Sequence, residues 1–290
     1  MPQLVDLHIH STYSDGLFPP VELVAMAKQR GLKAIAIADH DSVSGVDEAI
    51  EAGKLLGVEV IPAVELSVEF PGYHDIHILG YCINYRDPAF NRLLSEFRER
   101  RDSRGKAIIL KINETLAKSG ATPIDPAEAQ ELAGEAFGRP HIARLLVSKG
   151  YAKDNEDAFK RFLEPCNVPK KYFPVRDAIA EIRLIGGVAV LAHPTSITTD
   201  RGILRNLIFQ FKEMGLDGLE AYNNMCNDDD MMFLESIARV DGLLLSGGSD
   251  YHGDQTDIKL GSGRGGLAVG FHLAEEIIRL AASRHNKFSA

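Results

Sequence analysis

Short apolar runs that end in a histidine or an acidic residue recur along most of the chain, and amphipathic helical stretches separate them. The run 33–39 (Lys-Ala-Ile-Ala-Ile-Ala-Asp) precedes His40, and the run 187–192 precedes His193. Runs of this length and composition are typical of buried parallel strands. Strands and helices that alternate with tight loops indicate right-handed βα units, whose chemistry gathers at the carboxyl ends of the strands. The sequence therefore predicts an α/β fold with a site at those ends.

The stretch 6–16 (Asp-Leu-His-Ile-His-Ser-Thr-Tyr-Ser-Asp-Gly) is the first of these strand ends. His8 and His10 share a face if this segment is extended, because side chains two apart in a strand point the same way. The turn-prone residues that follow can bring Asp15 back to them. Two imidazoles and one carboxylate suit zinc, manganese or iron. Taken alone, the His-x-His pair also fits histidines that are merely hydrogen-bonded.

Side chains that can bind metal occupy equivalent strand ends along nearly the whole chain. They are His8, His10, Asp15, His40, Glu65, His193, Asp250 and His252. The chain has only 10 histidines, so this concentration at strand ends is notable. Imidazoles and carboxylates buried together are costly unless a cation neutralises them. The pattern therefore predicts that these groups converge around bound cations.

The strand–helix alternation stops at Pro88 and returns at Pro174. The intervening sequence is typical of helices, the longest over residues 90–119 with a break allowed at Gly105. We expect residues 1–97 and 172–290 to form one domain, and residues 98–171 to form a helical insertion that acts as a substrate lid. Most basic side chains of the insertion fit a solvated helix face.

Composition narrows the classes of partner and compartment. Apolar residues make up 45% of the 290 residues, so a full core is possible. The net charge of −9 argues against binding to duplex nucleic acid. Cys82, Cys166 and Cys226 are scattered and fit reduced thiols of a cytoplasmic protein. No apolar run is long enough to cross a membrane, and we expect no membrane partner.

Seven motifs resemble, in the same order, those of the polymerase-and-histidinol-phosphatase (PHP) family of metal-dependent phosphoesterases. They are Asp6-Leu-His-Ile-His-Ser11, Ser14-Asp-Gly16, Ala38-Asp-His-Asp41, Val64-Glu-Leu66, His77-Ile-Leu-Gly-Tyr81, Leu191-Ala-His-Pro194 and Gly248-Ser-Asp-Tyr-His252. The resemblance covers everything except the insertion. It implies a distorted (β/α)7 barrel with a helical insertion domain, and a trinuclear metal centre.

The resemblance adds His77 to the ligands. The residues alone leave His74 and His77 as equal candidates, on opposite faces of a regular strand; the family's His-x-Leu-Gly-Tyr pattern selects His77. Three divalent ions per chain are implied, manganese first and otherwise zinc or iron. The implied sets are His8, His10, Glu65 and Asp250; Asp15, His40 and His252; and Glu65, His77 and His193. Asp39 and Asp41 are expected to orient His40 or to cap the next helix.

Within the family, the chain looks most similar to enzymes that remove the 3′-phosphate of nucleoside 3′,5′-bisphosphates and degrade short RNA from its 5′ end. This rests on the place of the insertion and on the segment 138–143 (Gly-Arg-Pro-His-Ile-Ala). It implies attack by a metal-bridging hydroxide on a nucleotide or short oligonucleotide. Arg139 can bind a phosphate with two parallel hydrogen bonds, together with His141 and, less strongly, Lys170 and Lys171. His141 is also a candidate proton donor.

Other functions stay open at this point. Histidinol-phosphate phosphatase and an exonuclease that acts mainly on oligonucleotides are the alternatives within the family. A metal-bound regulator without activity is disfavoured by the complete ligand set. Amidohydrolase chemistry is disfavoured because no lysine ends a strand to form a metal-bridging carbamate. The segment 167–173 (Asn-Val-Pro-Lys-Lys-Tyr-Phe) departs from the glycine-rich segment of many relatives, which leaves the lid open to question.

Overall fold

Ten strands form two sheets in this computed structural model, which describes residues 3–133, 136–169 and 173–288. The strands are β1 Leu4–Ile9, β2 Ala34–Ile37, β3 Glu59–Val60, β4 Ala63–Phe70, β5 Tyr73–Tyr81, β6 Phe173–Pro174, β7 Val188–Leu191, β8 Gly218–Tyr222, β9 Leu244–Gly247 and β10 Val269–Gly270. One sheet has the order β10-β1-β2-β3, and the other has the order β6-β4-β5-β7-β8-β9.

Helices connect and cover the strands. They are α1 Pro20–Gln29, α2 Val46–Leu56, α3 Pro88–Lys118, α4 Pro126–Glu131, α5 Arg139–Ser148, α6 Asn155–Ala158, α7 Val175–Leu184, α8 Arg201–Glu213, α9 Asp228–Asp241 and α10 Phe271–Phe288. A π-helical turn, Phe159–Leu163, continues α6, and a 3-10 turn, Pro194–Ser196, follows β7. In the described residues, no helix has both the length and the apolar character that crossing a membrane requires.

Parallel pairs outnumber antiparallel pairs in both sheets and bring strand ends together, although β5 pairs antiparallel with both β4 and β7. β1 pairs in parallel with β2 and β2 with β3, and β7 pairs in parallel with β8 and β8 with β9. Their side chains are largely buried, as expected for strands covered on both faces. The predicted α/β class is therefore confirmed. Single bridges between Ile9 and Tyr251, and between His40 and Glu65, join the two sheets where strands end.

The apolar sequence of residues 58–68 predicts one continuous strand, and this prediction is wrong. The structure breaks it into β3, which belongs to the four-stranded sheet, and β4, which belongs to the six-stranded sheet. Pro62 lies at the break, and proline has no N–H to donate to a sheet ladder. β4 then returns as an antiparallel hairpin with β5 through a turn at Gly72, not through a βα unit.

The residues between β5 and β6 are helical where the structure describes them. α3 is continuous, so the predicted break at Gly105 is wrong. Gly105 is buried there, and a Cβ atom on it would lie 2.3 Å from the ring of Phe137. The buried side chains of α3 to α6 form a hydrophobic cluster that includes Ile109, Leu146 and Phe162. α3 begins at Pro88 and therefore crosses the predicted domain boundary at residue 98.

Candidate metal centre

β1 places two histidines side by side in the interior. His8 and His10 are both fully buried, as the period of a strand requires for side chains on one face. Their Nε2 atoms lie 3.1 Å apart. Two imidazole nitrogens at this distance need a proton or a cation between them, because two lone pairs facing each other repel.

Glu65, in β4, is the centre of the cluster. Its side chain is 1% exposed, and its two oxygens face imidazoles from β1, β5 and the loops after β2 and β7. The distances from a Glu65 oxygen are 3.5 Å to His8 Nε2, 3.3 Å to His10 Nε2, 2.9 Å to His40 Nδ1, 3.0 Å to His77 Nδ1 and 3.1 Å to His193 Nε2. A carboxylate in this position can serve more than one ion.

Two aspartates complete the cluster. Asp250 Oδ1, after β9, lies 3.1 Å from His10 Nε2 and 3.5 Å from His8 Nε2. Asp15 Oδ1 lies 3.2 Å from His252 Nε2, and its Oδ2 lies 3.8 Å from His40 Nε2. The structure therefore brings together all nine side chains that the sequence pointed to as metal ligands. The side chain of His74, the rejected candidate, lies outside the described part.

The backbone is strained at three positions beside these side chains. His193 has a φ of 27°, Asp250 a φ of 50° and Asp41 a φ of 51°, although none is glycine. Such conformations cost energy and persist where the surrounding structure enforces them, often at functional sites. At His193 and Asp250 the strained residue itself carries the converging side chain, so the backbone aims it into the cluster.

The charges of the cluster are strongly coupled. Burial raises the pKa of Glu65, but the imidazoles of His40, His77 and His8 outweigh it and hold the pKa well below its usual value. Burial lowers the pKa of His77 to about 4. Burial also disfavours the charged form of His252, but Asp15 and Asp250 outweigh it and raise its pKa to about 10. The cluster therefore favours positive charge although its side chains are largely buried.

Buried nitrogen and oxygen atoms of the cluster that lack hydrogen-bond partners fit the binding of a cation. Among the described residues, Asp15 Oδ1, His40 Nδ1 and Glu65 Oε2 are buried without a hydrogen-bond partner. Three groups of side chains each place their ligand atoms within 4.8 Å of one another. These are His10, Asp15, His40 and His252; His8, His10 and Glu65; and His40, Glu65 and His77. Their nitrogen and oxygen atoms are those that zinc, manganese or iron bind.

Buried partners hold the converging side chains from behind. Glu220 Oε1, in β8, lies 2.9 Å from His8 Nδ1, and Oε2 accepts the backbone N–H of His193 at 2.7 Å. Asp39 accepts hydrogen bonds from the hydroxyls of Ser11 and Ser14. Partners of this kind fix the tautomer and orientation of metal-binding groups.

Asp41 has a different role from the one expected. It accepts hydrogen bonds from Arg101 Nε at 2.6 Å and from the backbone N–H of Ser67 at 3.0 Å. Helix α2 begins after Gly45 without a side-chain cap. The expectation that Asp39 or Asp41 caps this helix is therefore wrong.

Two of the predicted substrate-binding side chains, Arg139 and His141, lie among the described residues and contact other parts of the chain. The guanidinium of Arg139 lies 5.6 Å from the centre of the Phe159 ring, within the helical segment. His141 is 1% exposed, and its Nε2 donates to Ser14 O at 3.0 Å while its Nδ1 accepts the N–H of Gly138. Both ring nitrogens of His141 are thus engaged by backbone. Lys170 and Lys171 lie outside the described residues.

Sequence reasoning missed Glu220 and Arg144. Glu220 carries a usable signal, because it is the one acidic residue in the apolar strand 218–222, as Glu65 is inside its own apolar run. Arg144 donates to the backbone carbonyl of Asp15. No local pattern marks that role, because the contact joins residues that are far apart in the sequence.

This chain is similar in sequence to several known proteins. The PHP domain model matches residues 6–164. A 5′-3′ exoribonuclease from Haemophilus influenzae is 35% identical over 255 residues, which are 87% of this chain and 91% of the relative. A 3′,5′-nucleoside bisphosphate phosphatase from Chromobacterium violaceum is 33% identical over 270 residues, which are 92% and 90% of the two chains.

A solved structure agrees with these sequence relatives. It is a Bifidobacterium adolescentis protein whose description assigns it provisionally to the metal-dependent phosphoesterases. Its TM-score is 0.84 at 28% identity, over 97% of this chain and 98% of that one. The family that the motifs resemble is confirmed. The chain therefore belongs to the PHP domain family and is a metal-dependent phosphoesterase.

Proposed function

We propose that this chain removes the 3′-phosphate of nucleoside 3′,5′-bisphosphates. The observation that carries the proposal is the convergence of nine ligand side chains around Glu65, with buried ligand atoms that have no other partner. The relative from Chromobacterium violaceum, 33% identical over most of both chains, supports the choice of substrate.

The side chains present fit three divalent ions, of which manganese is the first choice. His8, His10, Glu65 and Asp250 would hold one ion; Asp15, His40 and His252 a second; and Glu65, His77 and His193 a third. Bound divalent ions supply charge that stabilises the transition state and lower the pKa of water. In this proposal the strands form a distorted (β/α)7 barrel, and residues 98–171 form a helical lid.

Exposure within the cluster gives the direction of substrate approach. The side chains of His8, His10 and Glu65 are almost fully buried, whereas those of His77, His252 and Asp250 are 15, 18 and 21% exposed. The phosphate would therefore enter on the side of His77, His252 and Asp250. The buried group, with Glu220 behind it, keeps the ligand geometry fixed and excludes water from the rear.

The test uses the manganese-loaded protein and adenosine 3′,5′-bisphosphate. We expect release of inorganic phosphate with adenosine 5′-phosphate as the other product, and loss of turnover in Glu65→Gln. Histidinol phosphate, tested in parallel, should turn over much more slowly. Faster release of phosphate from histidinol phosphate than from the bisphosphate would refute the substrate assignment.

A second activity, 5′-to-3′ hydrolysis of short RNA, is favoured by the relative from Haemophilus influenzae, which is 35% identical. The same cluster can serve both reactions, because each breaks a phosphate ester. A short RNA labelled at its 3′ end separates them: stepwise loss of 5′ nucleotides supports this activity. A protein that releases phosphate from the bisphosphate and leaves the RNA intact has the first activity alone.

Arg139 is proposed to bind the substrate phosphate with its guanidinium group, with Lys170 and Lys171 as further candidates. His141, which the sequence also offered, has both ring nitrogens engaged by backbone and is not retained as a phosphate ligand. Arg139→Ala should raise KM for the bisphosphate by about 10-fold or more, because a charge-assisted hydrogen bond contributes about 1.5–3 kcal/mol. Arg161→Ala is the matched control, since Arg161 also lies over a phenylalanine ring of this segment, that of Phe162. Unchanged KM and kcat in Arg139→Ala would contradict the proposal.

A further inference from the structure

Helix α5 contacts the loop that carries Asp15 at two points. His141 Nε2 donates to the carbonyl oxygen of Ser14 at 3.0 Å, and Arg144 Nη2 donates to the carbonyl oxygen of Asp15. The two side chains are three residues apart and therefore share one face of the helix. Both hold the main chain of the loop, and neither touches the Asp15 carboxylate.

The His141 contact has a fixed direction. The Nδ1 atom accepts the N–H of Gly138 at 3.1 Å, so the ring proton is on Nε2 and points at the Ser14 carbonyl. His141 is 1% exposed and cannot replace this partner by water. The side chain is therefore a fixed link between the first turn of α5 and the Asp15 loop.

Arg144 also links Asp15 to the loop after β9. Its Nη2 lies 3.6 Å from Asp254 Oδ2, and Asp254 follows His252 by two residues. A backbone hydrogen bond from Leu17 to the carbonyl of His252, at 2.8 Å, joins the same two loops. Arg144 is thus placed between the two segments that carry Asp15 and His252.

The Asp15 carboxylate depends on this support. Its Oδ1 atom is buried and lies 3.2 Å from His252 Nε2, and its Oδ2 atom lies 3.8 Å from His40 Nε2, so the contacts of the carboxylate are with other side chains of the cluster. The loop from Ser11 to Gly16 is a pair of tight turns, with Ser14 and Gly16 both donating to the carbonyl of Ser11. The position of the carboxylate therefore follows the position of the main chain at Ser14 and Asp15.

We propose that His141 and Arg144 are positioning residues for the ion held by Asp15, His40 and His252. The proposal rests on the ligand sets of the proposed function. Helix α5 is itself anchored by Ile142 and Leu146, which are buried in the cluster formed by the helical segment. The affinity of this one ion is then set in part by the helical segment and not by the strands alone.

The test compares manganese binding by purified His141→Ala and Arg144→Ala with that of the wild type. Elemental analysis after dialysis gives ions per chain, and competition with a chelator gives their affinities. We expect each substitution to weaken one ion by about 10- to 100-fold, the range for partners that orient a ligand, and to leave the other ions unchanged. Asp15→Ala provides the reference for complete loss of that ion.

Two controls separate positioning from general loss of structure. Leu207→Ala removes a buried side chain of α8, which packs in a different hydrophobic cluster from the one that anchors α5, so it should lower the melting temperature and leave manganese affinity unchanged. Arg144→Lys keeps one donor and should recover part of the affinity. Wild-type affinity for every ion in both His141→Ala and Arg144→Ala would overturn the proposal. Manganese affinity and melting temperature do not depend on which ester the protein cleaves. The assay with adenosine 3′,5′-bisphosphate decides the substrate separately.

Discussion

Glu220 shows how one buried side chain controls two others. It faces His8 Nδ1 with one oxygen and accepts the His193 N–H with the other. In Glu220→Gln, an amide NH2 must face one of these partners. If the NH2 group faces the backbone N–H of His193, two donors oppose each other. If it faces His8, Nδ1 must accept a hydrogen bond, so the imidazole proton moves to Nε2 and blocks metal binding by that atom. We expect manganese affinity to fall about 10- to 100-fold, measured by competition with a chelator.

The matched control is Glu235→Gln. Glu235 also accepts a hydrogen bond, from the hydroxyl of Tyr222 at 2.8 Å, but it lies on α9 outside the cluster. This variant should bind manganese as tightly as the wild type does. Equal affinity in Glu220→Gln and Glu235→Gln would show that Glu220 does not orient the ligands.

Individual side chains differ in how far sequence alone could identify them. His40 and His193 were predictable because each directly follows an apolar run, and parallel strands bring such ends together. Glu220 was predictable in principle from its apolar strand. Arg144 was not, because an arginine in a helix is ordinarily solvated and its contact with the main chain of Asp15 exists only after folding.

Helix α3 is attached to the strands by a mostly buried ion pair. Arg101 donates to Asp41 at 2.6 Å and to the Ser67 hydroxyl at 2.6 Å, and the Asp41 side chain is 3% exposed. Arg101→Ala would leave a buried carboxylate without its cation, at a cost of about 3 kcal/mol. The free energy of unfolding in urea measures this loss.

An exposed pair close to the start of the same helix supplies the comparison. Arg86 and Asp47 also approach to 2.6 Å, but their side chains are 71 and 60% exposed. Arg86→Ala should change the free energy of unfolding little, because water screens the pair. If Arg101→Ala and Arg86→Ala had the same small effect, Arg101 would not anchor α3.

Gly105 lies where α3 packs most closely against the rest of the helical segment. Alanine would favour the helix by about 1 kcal/mol, but its Cβ would lie 2.3 Å from the buried Phe137 ring. Overpacking of this kind costs about 1–3 kcal/mol, so we expect Gly105→Ala to lower the melting temperature. Gly266→Ala is the control, because a Cβ atom at this position would meet no atom within 4 Å. A rise in melting temperature for both variants would contradict this account.

The bounds of the helices and strands were predicted better than the elements that each one pairs with or packs against. The patterns of residues 33–39 and 90–119 located β2 and α3 closely, because apolar spacing reflects local geometry. The same signal could not show that residues 58–68 change sheets at Pro62, since both halves are equally apolar. Nor could it show that Gly105 is a packing position, because the Phe137 ring that requires glycine comes from another helix.

Metal binding should stabilise the whole molecule, because the ligand side chains come from both sheets. His8 and His10 lie on the four-stranded sheet, and Glu65 and His77 on the six-stranded one. Free manganese at 100 times its Kd stabilises a site by about 2.7 kcal/mol, which raises Tm by about 4–5 °C for a chain of 290 residues. The rise should shrink as the pH falls below about 10, because the imidazole of His252, whose pKa Asp15 and Asp250 raise to about 10, must lose its proton to bind metal. Calcium prefers oxygen ligands and should therefore raise Tm less than manganese does. Thermal unfolding with and without a chelator measures the shift for each ion. An identical Tm in manganese and in chelator would mean that the ions do not connect the two sheets.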